Sequence, residues 1–126
     1  ATGGTETILV AEDDGMIRNL TRSVLTEFGY TVIEASDGEE AVRQFRDHAD
    51  GIDLLLFDVI MPKKNGKAAY EEIRQMRTGI RALFISGYSA DIITKEGVLE
   101  RGLDVVTKPI SPLELLRKVR EVLDRK

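Results

Sequence analysis

The chain has 126 residues, of which 42% are apolar and 32% charged, with a formal net charge of −4 and no cysteine. This length and mix describe one globular domain that can bury a core without staples, and they exclude disulfides, thiolate metal sites and cysteine nucleophiles. The acidic balance gives no electrostatic reason for direct nucleic-acid contact, and no apolar run approaches the roughly 20 residues that span a bilayer, so neither is an expected partner of this domain.

Ala1 to Glu6 is small and polar and is expected to be a flexible lead-in or linker, with the folded domain at residues 7–126. The segment does not look like a secretory leader, so a cytoplasmic location is expected. A start at Ala1 rather than methionine is expected of a piece cut from a longer chain.

From Thr7 onward strands and helices alternate. Thr7 to Ala11 reads as a strand, and Gly15 to Phe28 as a helix with Ile17, Leu20, Val24, Leu25 and Phe28 on one face, closed by Gly29. Thr31 to Ala35 is a short strand rich in β-branched residues. Asp37 caps the next helix, with Glu40 three residues on and Ala41, Val42 and Phe45 as its apolar stripe. Leu54-Leu55-Leu56-Phe57 is a continuous apolar run, as in a strand buried on both faces, and it ends on Asp58. A loop with Met61, Pro62 and Gly66 leads to a helix from about Lys67 to Arg77. Arg81 to Ser86 is the fourth strand, a weaker helix covers roughly Ile92 to Arg101, and Asp104 to Thr107 is the fifth strand. Ser111, Pro112 and Glu114 open the last helix, whose Leu116, Val119 and Leu123 face inward. Five strands alternating with five helices, joined by right-handed crossovers, give an α/β fold: a parallel sheet with helices on both faces.

The chemistry lies at the strand ends. Glu12 and Asp13 follow the first strand, Asp58 ends the third, Ser86 ends the fourth and Lys108 follows the fifth. In an open parallel sheet that edge is where ligands bind. Carboxylates that converge there repel unless a cation neutralises them, and with oxygen donors only the fitting ion is Mg²⁺ or a close substitute. The Lys108 ammonium and the Ser86 hydroxyl suit phosphoryl oxygens. Together these groups support in-line attack by Asp58 on a phosphoryl group, giving an aspartyl phosphate. Other residues read more plainly. Asp14 suits a helix N-cap, His48 the surface, and Lys63-Lys64-Asn65-Gly66-Lys67 a solvated loop that can also dock an acidic partner.

In this order, Ile8-Leu9-Val10-Ala11-Glu12-Asp13, Asp58-Val59-Ile60-Met61-Pro62 with Gly66, Ser86-Gly87 and Lys108-Pro109 resemble the receiver domain of bacterial two-component response regulators. The resemblance covers about Thr7 to Asp124. It implies a doubly wound, flavodoxin-like (βα)5 fold with strand order 2-1-3-4-5. It implies that Asp58 accepts a phosphoryl group from a phosphohistidine on a kinase or phosphotransfer protein. It implies Mg²⁺ held by Asp13, Asp58 and the Ile60 carbonyl, with Glu12 acting through water. It also implies a cis Lys108-Pro109 bond, and an output partner or second copy at the face of the fourth helix, fifth strand and fifth helix.

The stretch from Phe84 to Lys108, with the lead-in Gly3-Gly4-Thr5-Glu6-Thr7, is similar to receivers at the C-terminal end of hybrid sensor histidine kinases, whose parent chain can be membrane-anchored. A free-standing regulator is the other expectation. Three positions depart from the family pattern. Glu12 replaces the usual Asp, Ser86 replaces Thr, and Val105 stands where an aromatic switch residue is common, which leaves Tyr88 as a candidate for shielding or switching.

An enzyme of haloacid dehalogenase type, with an aspartyl nucleophile, shares this rim chemistry. It needs a general acid two residues after the nucleophile, where this chain has Ile60. A degenerate, purely binding receiver is disfavoured by the intact Asp13, Asp58, Ser86 and Lys108. The expected behaviour is self-phosphorylation by small donors followed by slow self-hydrolysis.

Overall fold

A computed structural model of the chain describes residues 3–87 and 102–125. Within them, β1 (Thr7–Ala11), α1 (Gly15–Glu27), β2 (Thr31–Ala35), α2 (Gly38–His48), β3 (Leu54–Asp58), α3 (Gly66–Met76), β4 (Arg81–Ser86), β5 (Asp104–Thr107) and α4 (Pro112–Asp124) follow in chain order. The helix expected over Ile92 to Arg101 and the candidate Tyr88 lie outside the described residues, so the expected fifth helix is α4 here.

All four strand pairings are parallel and the sheet order is β2-β1-β3-β4-β5. Alternation along each strand divides the core in two. Leu9, Ala11, Leu55, Phe57 and Phe84 face α2 and α3. Ile8, Val10, Leu54, Leu56 and Leu83 face the other way, with Leu25 of α1 and Leu115, Leu116 and Val119 of α4. Every residue of β3 is buried, which is why its sequence is a run rather than an alternation. Full burial of each large apolar side chain contributes about 1.5–3 kcal/mol.

The helix ends follow their capping residues. Asp14 Oδ1 accepts from the amides of Met16 and Ile17 at 2.9 and 3.3 Å, and Asn65 Oδ1 accepts from Ala68 at 2.8 Å. Asp37 Oδ1 accepts from the Glu40 amide at 2.8 Å, while the Glu40 carboxylate reaches one residue further back, to the amide of Ser36 at 2.5 Å. Asp37→Ala removes this cap and is expected to lower unfolding free energy by about 1 kcal/mol, measured by urea denaturation; an unchanged midpoint would show that Glu40 alone holds the helix start.

One expectation for α1 is corrected. Leu20 is 51% exposed, and Thr21 takes the buried place instead. A threonine is tolerated there because its hydroxyl donates to the Ile17 carbonyl at 2.8 Å, leaving no unsatisfied polar atom. The lead-in, where described, has no regular structure but is tied to the body. The Gly4 amide donates to Phe28 O at 3.1 Å, and Arg120 of α4 binds Glu6 at 2.7 Å, which holds the Glu6 carboxyl below its ordinary range. Glycines are required at close approaches. A Cβ on Gly66 would run into the main-chain carbonyl of Asp58, and one on Gly38 into that of Lys64.

Candidate functional site

The site forms where the sheet changes direction. β1 and β3 are neighbours in the sheet, with Ala11 opposite Phe57, so the next residues, Glu12 and Asp58, emerge side by side at the carboxyl edge. The crossover after β1 leads to β2 on one side, and the crossover after β3 leads to β4 on the other. A crevice is left between the two loops.

Into this crevice the fold brings the predicted residues. Glu12, Asp13, Asp58, Ile60, Ser86 and Lys108 all line one cleft of about 340 Å³. Carboxylate oxygens of Glu12, Asp13 and Asp58 lie within 4.8 Å of one another, Glu12 and Asp58 buried and Asp13 exposed. Lys108 Nζ donates to Asp58 Oδ2 at 2.9 Å and stands 3.2 Å from Glu12 Oε1. Asp58 Oδ1 accepts from the Ile60 amide at 3.3 Å. Ser86 is 2% exposed at the end of β4, and its carbonyl accepts from the Lys108 amide at 2.7 Å. That bond carries the chain from β5 over the end of β4, and the Lys108-Pro109 peptide that follows is cis.

The loop after β3 is held close to Asp58 by two backbone bonds. The Val59 amide donates to Ile85 O at 2.9 Å, and the Gly66 amide to Val59 O at 2.8 Å. Lys63 adopts a left-handed φ of 67° in this loop and lies 3.8 Å from Asp37 Oδ2; Lys64 pairs with Glu72 of α3. The lysines expected in a solvated loop therefore also brace it. His48 is exposed at the end of α2 and is not among the residues that line the cleft.

Electrostatics decide which ion the crevice accepts. Burial pushes the Glu12 carboxyl up to about 7, and the neighbouring Asp58 adds to this; the Asp14 amide and Lys108 act in the opposite direction. Burial likewise opposes charge on Lys108, but its hydrogen bond to Asp58 and the charges of Asp58 and Glu12 outweigh that, leaving the ammonium more basic than usual. Glu12 Oε1 is fully buried and makes no hydrogen bond among the described residues, although Lys108 sits within ion-pair range of it. A buried carboxylate oxygen without a hydrogen bond, beside two further carboxylates, is a donor set that fits a hard divalent cation.

A pH dependence follows. Between pH 4.5 and 7 the folded protein binds more protons at Glu12 than the unfolded chain does, so stability falls as pH rises through that range and levels off above it. In metal-free protein the melting temperature should therefore drop on the order of 5 °C more between pH 5 and pH 7 for the wild type than for Glu12→Gln. Parallel curves for the two proteins would refute this.

Val105 sits opposite Phe84 in the β4–β5 register and packs, partly buried, into the core cluster that holds Phe84 and Tyr70. The nearest described ring pair is Tyr70 edge-on to Phe84, with centroids 5.5 Å apart. One contact at the rim had no signal in the sequence. Arg18 Nη1 donates to the Glu12 carbonyl at 2.7 Å. An arginine one turn into an amphipathic helix reads as part of a solvated face, and only the packing shows where its guanidinium goes.

A family model described as the response regulator receiver domain matches residues 8–120. Among curated relatives, a probable transcriptional regulator ycf27 of Pyropia yezoensis is 42% identical over 122 residues, covering 95% of this chain and 48% of the relative. Sensor kinase CckA of Brucella abortus is 30% identical over 122 residues, covering 97% of this chain and 13% of the kinase. The chain thus spans about half, or much less, of the length of these curated relatives. Among solved structures, the receiver domain of hybrid histidine kinase CckA superposes with a TM-score of 0.80 at 35% identity, covering 94% of this chain and 99% of that one. A CheY of Borrelia burgdorferi, solved in a CheX-CheY-BeF3-Mg²⁺ complex, superposes with a TM-score of 0.82 at 28% identity, covering 95% and 90%. With a matching family model over nearly its whole length and the strand order and acidic rim described above, the chain belongs to the response regulator receiver domain family.

Proposed function

We propose that this domain is a phosphoacceptor in two-component phosphorelay signalling, and that Asp58 receives the phosphoryl group from a phosphohistidine on a kinase or phosphotransfer domain. The observation that carries this reading is the ion pair of 2.9 Å between Lys108 Nζ and Asp58 Oδ2, inside a cleft that Ser86 also lines. A carboxylate oxygen of Asp58 attacks phosphorus in line. The P–N bond of the donor breaks as the O–P bond forms, its electron pair returns to the imidazole, and the product is an aspartyl phosphate. The Lys108 ammonium shifts from the Asp58 carboxylate toward the negative phosphoryl oxygens, and the Ser86 hydroxyl donates to one of them.

Asp13, Asp58 and the Ile60 carbonyl would hold Mg²⁺, with Glu12 acting through water. Bound there, the ion would neutralise charge on the phosphoryl oxygens. The Borrelia CheY solved with BeF3 and Mg²⁺ supports this reading by similarity.

Ile60 offers no acid or base at the second position after Asp58, which argues against a turnover phosphatase of haloacid dehalogenase type. The same residue, 65% exposed at the cleft, cannot orient an attacking water, so the aspartyl phosphate is expected to outlast seconds. Among the described residues no helix is long and apolar enough to cross a membrane. The CckA similarity supports a place in a hybrid kinase, and the ycf27 similarity supports a place in a regulator; the acceptor chemistry is the same in both. The output surface in this reading is the face of β5 and α4, together with the helix expected over residues 92–101.

Incubation with acetyl phosphate and Mg²⁺ should add the mass of one phosphoryl group, located by peptide mapping to the segment containing Asp58. No mass gain, or a label on another segment, would overturn the proposal.

A further inference from the structure

We propose that Arg18 is a positioning residue for the acidic pair: its guanidinium fixes the Glu12 main chain and thereby sets where the Glu12 and Asp13 carboxylates stand when Mg²⁺ binds. This rests on the reading of the rim as a Mg²⁺ and phosphoryl site, and goes beyond it by assigning a residue on α1 that touches neither group.

Glu12 is the first residue after β1, where the main chain leaves the sheet. Its amide is still tied to the edge strand, donating to Ala35 O of β2 at 3.1 Å. Its carbonyl is tied by Arg18 Nη1 at 2.7 Å. The peptide groups on either side of the Glu12 Cα are therefore both held, one by β2 and one by α1. Arg18 is itself anchored: its Nε lies 3.4 Å from Glu34 Oε1 of β2, its amide donates to Asp14 O at 2.9 Å, and its side chain is only 23% exposed. Asp13 is exposed, and among the described residues its side chain has no hydrogen bond or ion pair, so its carboxylate is placed by the backbone alone. Ligands placed through their backbone depend on what holds that backbone, and loss of such outer contacts typically weakens metal affinity 10- to 100-fold.

Charge and geometry predict opposite signs here. Arg18 is a cation whose guanidinium touches the main chain of the acidic rim. If it acted through charge alone, its removal would tighten Mg²⁺ binding. If it acts by positioning, its removal weakens binding. Arg22 is the matched control, because its Nε reaches the same Glu34, at 3.7 Å, but among the described residues it contacts no group of the rim.

The test titrates the full chain with MgCl2 by calorimetry, alongside thermal melting, for the wild type, Arg18→Gln, Arg18→Lys and Arg22→Gln. Arg18→Gln is expected to raise the Mg²⁺ dissociation constant about tenfold. Arg18→Lys keeps the charge but has one ammonium for two acceptors, and should raise it a few-fold. Arg22→Gln should leave it within about twofold, with a melting temperature lowered less than in Arg18→Gln, because it loses only the exposed Glu34 ion pair. A dissociation constant for Arg18→Gln equal to or below that of the wild type overturns the assignment. If Arg18→Gln does not fold, an unchanged constant for Arg18→Lys overturns it instead. A wild type that shows no Mg²⁺ response overturns the reading of the site itself, which separates that failure from failure of the Arg18 assignment.

Discussion

Asp58→Asn is expected to abolish phosphoryl uptake from acetyl phosphate completely, with no mass gain at any time point. The amide oxygen of asparagine is neutral and a poor nucleophile, and no other carboxylate in the cleft combines the position and partners of Asp58. Asp13 is exposed and lacks a lysine contact, and Glu12 is partly neutralised by its raised pKa. The variant should fold. The single oxygen of asparagine keeps the acceptor contact with the Ile60 amide while the one with Lys108 is lost, and removing one of three crowded carboxylates relieves repulsion, which offsets that loss. In metal-free buffer at pH 7 and above its melting temperature should therefore equal or exceed that of the wild type. A phosphoryl label that persists in Asp58→Asn would show that the acceptor is another residue. A large loss of stability would show that the Asp58–Lys108 pair holds the fold rather than the chemistry.

Lys108→Met is expected to slow phosphoryl uptake by about 10²- to 10³-fold, the usual loss when one preorganised group facing developing negative charge is removed. Methionine keeps a long apolar stem, so the packing of the chain between β5 and α4 is retained while the charge is lost. The ammonium lies 2.9 Å from Asp58 Oδ2 and 3.2 Å from Glu12 Oε1, and no other described cation reaches either oxygen. Mg²⁺ affinity should move the other way, becoming equal or tighter, because a competing positive charge has left the cleft. Rates measured by intact mass with saturating Mg²⁺, together with a Mg²⁺ titration, test both signs. A rate within about twofold of the wild type would remove Lys108 from the acceptor chemistry. Weaker Mg²⁺ binding would recast it as a residue that shapes the acidic cluster.

Much of this site was legible in the residues because strand ends in a parallel sheet are a strong constraint. Leu54 to Phe57 read as a strand buried on both faces, which puts Asp58 at its carboxyl edge, and the structure bears this out. The same logic brought Glu12, Ser86 and Lys108 to that edge. The capping residues Asp14, Asp37 and Ser111 sit at the helix starts because local hydrogen bonding needs no tertiary information. Periodicity alone misjudged α1, where Leu20 and Thr21 are one residue apart. A helical wheel favours burying the leucine, but the packing buries the threonine because its hydroxyl is satisfied within its own helix.

By itself the sequence determined the alternation of strands and helices, the identity of the rim residues and the absence of a general acid at Ile60. These follow from residue type and short-range spacing. The family resemblance implied that β1 lies between β2 and β3, and the structure bears this out; only the tertiary structure decided that three carboxylates share one crevice and that Lys108 bonds to Asp58 rather than to solvent. Only packing, too, turned Arg18 from a surface charge into a contact on the Glu12 carbonyl and raised the Glu12 carboxyl toward neutral pH. The reason is physical. Distances between groups remote in the chain and the desolvation of a charge are properties of the packed whole, and no local pattern of residues encodes either one.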